Sequence, residues 1–491
     1  MLNLRFLSKK YFSQIAKVKF VSAFGQNVKN LIYFVPEEDL KLETKSNNQL
    51  IEYLKQTQEQ RLKDLIKNKY GIIYPWSKGL LFTERMCLVV TPQADLNKIR
   101  SIASKAFKEM SSKKVEDLQI FFDDKIPIHH RRIAINTCIL TNYKFKVEGN
   151  PKQDTEEDRE TVEDNTKKNG IVKSIEILAD NAMQNKIDSF ALWVNMANAS
   201  LYTRNLANTR PNIADCDYFE EIALKIYNNN KNSSKLSIEV IKGDELKQRG
   251  MNLIHAVGKA AESSPRMIIL TYEGKKDSNI FTHAVVGKGL TFDTGGLNIK
   301  PTGFIEDMYL DKHGACNTLS IFKTVVESQL PINLVCAIGV ADNAIGSKAY
   351  KPSDIIKSYK GYTVEITNTD AEGRLVLVDT LSYVQEKYKP LNVIDLATLT
   401  GACMVALGNR MAGLFTNNTD LAGDISAAAD EVMEPLWHLP INDEHRDELK
   451  SSFADLKNSG KDRYGGASKG AGFIEKFIEK DTNWVHLDIA G

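Results

Sequence analysis

Seven consecutive residues, Asn368-Thr369-Asp370-Ala371-Glu372-Gly373-Arg374, set two carboxylates and a guanidinium at alternate positions. On extended backbone alternate side chains share a face, so Asp370, Glu372 and Arg374 are expected to point into one cleft. Gly373 is expected to let the backbone turn without a side-chain clash. The apolar set Leu377, Val378, Leu381, Val384 and Tyr388 follows at helical spacing. The acids therefore stand where irregular backbone meets a helix N-terminus, whose dipole favours them. Such a pair is also an ordinary helix cap, and a second constellation upstream separates the two readings.

That constellation is VGKGLTFDTGGLNIKP, Val286 to Pro301, which follows the apolar strand His283 to Val286. Open α/β sheets bind ligands beyond the carboxyl ends of their strands. Glycines there let backbone approach a ligand closely, although the spacing is not that of a P-loop. Glu306 to Ala315 then opens a further helix. If Asp293, Asp311, Asp370 and Glu372 converge, they repel one another. A pair of dications about 3.5–4 Å apart offsets that repulsion, activates a water and holds a substrate. Beside such ions Lys288 gives up its proton more easily and would offer a lone pair to metal. Lys300 would keep its charge and stabilise an oxyanion.

These residues need a scaffold, and the chain of 491 residues is long enough for two or three domains. Lys plus Arg (64) nearly balances Asp plus Glu (63), a net charge of +1 that argues against a nucleic-acid partner. The six cysteines form no CxxC pair, so neither a zinc knuckle nor a disulfide framework is indicated. No apolar run reaches the roughly 18 residues that span a bilayer, so no membrane role is expected.

Along the chain, Asn30 to Val35 reads as the first true strand. Gly71 to Tyr74, Cys87 to Val90 and Ile133 to Asn136 read as further strands, and Leu96 to Met110 as a helix. The segment 148–170 is nearly free of apolar residues and reads as a charged linker. Beyond it, helices are expected over Asp188 to Leu206, Asp217 to Asn228, Gly314 to Leu330 and Arg374 to Lys387. Strands are expected over Leu236 to Ile241, Met267 to Tyr272, His283 to Gly287, Asn333 to Ala341, Tyr362 to Ile366 and Asn392 to Ala397. The fold class is α/β. A smaller N-terminal α/β domain (30–150) and a linker (151–170) precede a larger C-terminal domain (171–491) with a central mixed sheet flanked by helices.

VGKGLTFDTGGLNIKP, DMYLDKHGA and NTDAEGRL resemble the signature segments of the leucine aminopeptidase family, the dizinc cytosol aminopeptidases. The likeness continues through Asn392 to Gly408, Ala412 to Phe415, the Gly-rich Tyr464 to Gly472 and the closing Trp484 to Gly491. The resemblance implies a metal-dependent aminopeptidase that releases N-terminal, leucine-like residues from peptides. Lys288, Asp293, Asp311 and Glu372 would bind one ion (zinc, manganese or magnesium). Asp293, Asp370 with its carbonyl, and Glu372 would bind the other. Lys300 would polarise the scissile carbonyl, and Arg374 would hold bicarbonate as general base. Met308, Thr398 and Gly401 would line the pocket for the first side chain. A homohexamer is also implied.

Three features depart from this pattern or stand outside it. Lys312-His313 follows Asp311 where the family has small or apolar residues, and reads as a solvated pair at a helix N-terminus. Members of the family continue some tens of residues past the DIAG segment, whereas this sequence stops at Gly491. A missing C-terminal tail is therefore expected, and with it the alternative of a catalytically impaired member kept for assembly. Finally, Arg5, Lys9, Lys10, Lys17, Lys19 and Lys29 all precede the first acid, Glu37. Residues 1–29 thus resemble a mitochondrial transit peptide, with a basic first strand as the alternative, and the location expected is the mitochondrial matrix or the cytoplasm. His438, His445 and His486 form no metal-binding pair and read as structural; Gly465 to Gly472 reads as a loop near the cleft.

Overall fold

The computed structural model describes residues 16–22, 29–40, 51–52, 55, 59–73, 85–91, 95–145, 171–232, 235–275, 277–278 and 280–491. The chain forms two compact units, the first ending at Leu201 and the second beginning at Tyr202.

The first unit is built on β1 (Lys17–Val21), β2 (Asn30–Pro36), β3 (Tyr70–Ile73), β4 (Arg85–Thr91), β5 (Asp117–Phe122) and β6 (Ser174–Leu178). Their order is β1-β6-β5-β2-β4-β3. Every neighbour is parallel except β3, which runs against β4. The central strand β2, NLIYFVP, is buried at every residue, as a parallel strand covered on both faces must be.

Three expectations change here. The first strand is β1, paired from Lys17↔Ser174 to Val21↔Leu178, so the basic strand lies within residues 1–29 and Asn30–Pro36 is the second strand. Its lysines, 17 and 19, are exposed and its intervening Val18 is half-buried, the alternation of an edge strand. Residues 1–15 and 23–28 of the transit-peptide reading, Tyr74, and the whole 151–170 linker lie outside the described residues. Second, Ile133 to Asn136 is not a strand but part of the helix Ile128–Thr141. Ile133, Ala134, Ile135, Cys138 and Ile139 are all buried, so apolar residues surround the helix and erase the period that would have marked it. Third, β6 belongs to this first sheet, between β1 and β5, and the first unit runs to Leu201 rather than ending near 150.

The second unit carries β7 (Leu236–Lys242), β8 (Arg266–Glu273), β9 (His283–Asp293), β10 (Asn333–Asn343), β11 (Ile355–Lys357), β12 (Thr363–Glu365), β13 (Asn392–Ala397), β14 (Ala412–Thr416), β15 (Leu436–His438), β16 (Leu456–Lys457) and β17 (Asn483–Asp488). Eight of them form a mixed sheet in the order β15-β14-β17-β13-β9-β10-β8-β7. Its centre, β17-β13-β9-β10, is parallel. A small sheet, β11-β12-β16, stands apart from it. The helix His313–Glu327 packs on β9, β10 and β13, and the helix Glu372–Tyr388 on β9 and β10. The latter is buried at every residue from Glu372 to Gln385, which explains why its apolar stripe is only partly legible in the sequence. The carboxylate of Asp379, on this helix, accepts the N–H groups of Leu253 (2.9 Å), Ile254 (3.3 Å) and Tyr359 (2.8 Å) and so ties three elements together. Among the described residues no helix is long and apolar enough to cross a membrane.

Candidate metal centre

The buried strand β9 places Lys288 in its middle and Asp293 at its carboxyl end, beside the parallel strands β10 and β13. The loop that follows reverses through Gly295, at φ +85°, where a side chain would be strained and a Cβ would stand 2.9 Å from Asp370 Oδ1. Asp293 Oδ1 accepts the Gly295 N–H (2.9 Å) and the Asn343 amide (2.8 Å), which fixes the carboxylate where β9 and β10 end.

The Asn368–Arg374 segment is not an extended strand. Asp370 sits in a turn and Glu372 begins the helix, so the strand-like alternation expected of this stretch does not occur. The turn nevertheless delivers both acids to one place. Ligand oxygens of Asp293, Asp370 and Glu372 all lie within 4.8 Å of one another. Thr369 anchors the turn: its hydroxyl donates to the Gly295 carbonyl (2.7 Å), and its own carbonyl accepts from Tyr350 (2.7 Å) and Asn343 (3.1 Å).

Gly373 has a different task from the one its sequence context suggested. It lies inside the helix, and a Cβ there would stand 2.4 Å from Lys288 Cε. The missing side chain is the space through which Lys288 reaches the site. The Lys288 ammonium meets Asp311 (2.7 Å) and Glu372 Oε1 (3.2 Å) and donates to the Thr398 carbonyl (3.0 Å). Asp311 follows the turn Met308–Leu310 and also accepts from the Thr398 hydroxyl (2.6 Å). Lys300 bridges Asp293 (2.9 Å) and Asp370 (2.5 Å). Arg374 is buried, and its Nη1 donates to the Asn458 carbonyl (2.8 Å).

The electrostatics follow from this crowding. Burial works against the charge on Lys288, but Asp311, Glu372 and Asp293 outweigh it and hold its pKa above the ordinary lysine value. Lys300 is raised against its burial in the same way by Asp293, Glu372 and Asp370. Burial raises Glu372, and Asp293 raises it further. Burial also raises Asp370 and Asp311. Arg374 is pushed down to about 10 by burial. Four carboxylates, two lysines and Arg374 are thus crowded into one largely buried site, where burial disfavours the charge on Glu372, Asp370 and Asp311.

Two atoms show what the site lacks. Glu372 Oε2 and Arg374 Nε are buried without a hydrogen-bond partner. An orphaned carboxylate oxygen within a ring of acids is what a divalent cation satisfies, and an orphaned guanidinium N–H is what an anion satisfies. The oxygen-rich donor set thus fits a divalent metal. Of the residues expected to line a pocket, Thr398 bonds Asp311 and Met308 begins the turn before Asp311, while a Cβ on Gly401 would meet no atom within 4 Å.

Lys312 and His313 are not a solvated pair. Lys312 is 0% exposed, and its ammonium donates to the Tyr309 carbonyl and lies 5.3 Å from the Tyr309 ring centroid. Burial pushes it down to about 8. His313 is half-buried, with Nδ1 at 2.7 Å from the Leu310 carbonyl. Gly466–Glu475 is likewise a helix rather than a loop, because burial of Ala467 to Ile474 overrides its glycine content. His445 caps a short helix and His486 pairs with Asp395 (2.6 Å), both structural roles as expected. Sequence reasoning missed Asn343, Tyr350 and Asn458, the neutral residues that hold the turn; buried amides and phenols leave no pattern along a chain.

A model of the catalytic domain of the cytosol aminopeptidase family matches residues 201–491. A probable cytosol aminopeptidase of Cenarchaeum symbiosum is 44% identical over 290 residues, 59% of this chain and 58% of that protein, so the match spans less than two thirds of its length. The cytosol aminopeptidase of Haemophilus influenzae is 37% identical over 389 residues, 79% of this chain and 75% of that protein. A solved structure of a tomato leucine aminopeptidase mutant superposes with a TM-score of 0.79 at 26% identity, covering 98% of this chain and 94% of that one.

Proposed function

The chain belongs to the cytosol aminopeptidase family, whose members are metal-dependent aminopeptidases, and from that premise we propose that it removes N-terminal, leucine-like residues from peptides at a two-metal centre. The observation that carries this reading is the convergence of Asp293, Asp370 and Glu372 within 4.8 Å, with Glu372 Oε2 unpartnered. Asp293 and Glu372 would bridge two divalent ions. Lys288 and Asp311 would complete one ion's shell, and Asp370 with its carbonyl the other's. When bound, such ions supply Lewis acidity and an activated water.

The protein's own groups do the rest. The carboxylates hold Lys288 charged, so its use as a neutral donor depends on cations displacing that field. Lys300, the more exposed of the two lysines, would face the scissile carbonyl and stabilise negative charge developing on its oxygen. Arg374, tethered through Nη1, keeps Nε for an anion such as bicarbonate that would accept a proton. Met308, Thr398 and Gly401 would receive the first side chain; the bare Gly401 leaves room for a branched apolar group.

Assembly of several copies, a homohexamer by resemblance, is supported by large apolar side chains left on the surface of the second unit, among them Val405 (90% exposed) and Phe453 (77%). Light scattering tests it. The mitochondrial location rests only on the basic N-terminus, and imaging of the tagged full chain tests that. A cation beside Asp311 would favour an impaired member, yet the Lys312 ammonium is bonded to Tyr309 and leaves Asp311 to Lys288 and Thr398. Purified chain loaded with zinc or manganese should release leucine from a chromogenic leucine anilide. Activity that survives unchanged in Asp370→Ala and Glu372→Ala would refute the assignment.

A further inference from the structure

Asn458 lies far from the acids in sequence and holds the segment that carries them. It is 0% exposed, and it directly follows β16, which pairs parallel to β12 at Val364↔Leu456 and Glu365↔Lys457. Its side-chain oxygen accepts the N–H groups of Thr367 (2.8 Å) and Asn368 (3.2 Å). Its amide nitrogen donates to the carbonyls of Asn368 (2.6 Å) and Ala371 (3.4 Å). Its backbone carbonyl accepts from Arg374 Nη1 (2.8 Å). One residue thus grips the metal-holding turn before Asp370 and after it, and tethers the guanidinium as well.

No other side chain of this shape serves both needs. An amide presents an acceptor and a donor side by side, which is what backbone N–H groups on one side and carbonyls on the other require. Only the placement of Asp370 and Glu372 depends on this turn; Asp293, Lys288 and Asp311 are held by other elements. We propose that Asn458 is a positioning residue: it sets the Asp370–Glu372 turn and the Arg374 guanidinium in common register, and so determines metal affinity without touching metal or substrate. The proposal rests on the metal-centre reading.

The experiment measures manganese affinity of the full chain by electron paramagnetic resonance titration, without substrate, in wild type, Asn458→Ala and Asn458→Asp. Asn458→Asp keeps the size and the accepted bonds, a third from the Thr367 hydroxyl (3.2 Å) included, but turns a carboxylate toward two carbonyls. The control is Asn333→Ala. Asn333 is also buried, accepts Lys275 N–H (3.0 Å) and donates to the carbonyls of Ser278 (2.6 Å) and Ile280 (3.1 Å), at the opposite end of β10 from the site. Residues that orient ligands typically change metal affinity by about 10–100-fold when replaced. Both Asn458 variants are expected to weaken manganese binding by that factor, while Asn333→Ala lowers the melting temperature and leaves affinity unchanged. Equal affinity in wild type and the folded Asn458 variants would overturn the proposal, as would an equal loss in Asn333→Ala. Where Asn458→Ala does not fold, Asn458→Asp carries the comparison. If wild type itself takes up no manganese, the function proposed above fails, and amide exchange decides the role of Asn458. The N–H groups of Asp370 and Ala371, which bond within the turn (2.9 Å to Asn368 Oδ1 and 3.2 Å to the Asn368 carbonyl), should then exchange faster in Asn458→Asp. Unchanged exchange would overturn the role.

Discussion

Both units of this chain bury arginines, and Arg131 in the first and Arg374 in the second are treated in opposite ways. In the first unit all three guanidinium nitrogens of Arg131 are engaged. Nε donates to the Ile126 carbonyl (2.7 Å), Nη2 to those of Asp123 (3.2 Å) and Asp124 (2.8 Å), and Nη1 to Asp180 (2.5 Å). In the second unit Arg374 donates to one carbonyl and its Nε has no partner, a few residues from the equally unpartnered Glu372 Oε2. A buried charge with every bond made is a structural fastener. A buried charge with bonds left open holds its shape because surrounding elements impose it, and what would complete it comes from outside the chain.

The sharpest way to test this contrast is to neutralise one charge in each unit. Glu372→Gln is expected to reduce leucine anilide turnover by about a thousandfold or more, since it would remove the proposed bridging ligand. The metal-free variant should keep or gain thermal stability, because burial and Asp293 already make its charge unfavourable. Arg131→Ala should do the reverse: unfolding free energy falls by about 3–5 kcal/mol, as expected for one broken buried pair, while turnover per folded molecule is nearly unchanged. Denaturant titration and steady-state kinetics on the same preparations read both. A Glu372→Gln variant as unstable as Arg131→Ala would erase the distinction.

Gly373→Ala tests whether the space around Lys288 matters as much as the ligands do. A methyl at 2.4 Å from Lys288 Cε must displace that side chain, and a shift of about 1 Å at a reacting centre can lose about a hundredfold in rate. Unchanged kinetics would show that Lys288 has another route.

The smallest expected effect concerns pH. Burial opposes the charge on His486, but Asp395 at 2.6 Å outweighs it and holds the imidazolium pKa above its ordinary value. A raised pKa favours the folded state fully below the unfolded value of about 6.5, and that contribution is lost as pH rises through the raised value. Wild type should therefore lose more stability than His486→Gln between about pH 6.5 and the alkaline range. Parallel pH profiles for the two would remove His486 as a charged fastener.

The three acids that converge were legible in the sequence because their signals are local: Asp293 ends a run of β-type residues, and Asp370 and Glu372 stand at the start of a helix. The sequence carried the surrounding geometry poorly wherever distant segments decide it. β6 returns to the first sheet from beyond a long charged stretch, and nothing in SIEIL says which sheet it joins. Ile133 and its neighbours are buried all round, so the helical period vanished. A lysine beside a histidine reads as solvated; here the Lys312 ammonium is buried against the Tyr309 carbonyl and ring. Gly373 reads in the sequence as a residue that lets the backbone turn, and its reason is the Lys288 side chain that reaches the helix from β9.

The most direct measurement is anomalous diffraction from crystals of the chain soaked in zinc. The account requires two ions per chain, bridged by Asp293 and Glu372 and flanked by Asp311 and Asp370, with Lys300 withdrawn from the acids. Zinc absent from these oxygens, with Lys300 still paired to Asp293 and Asp370, would contradict it.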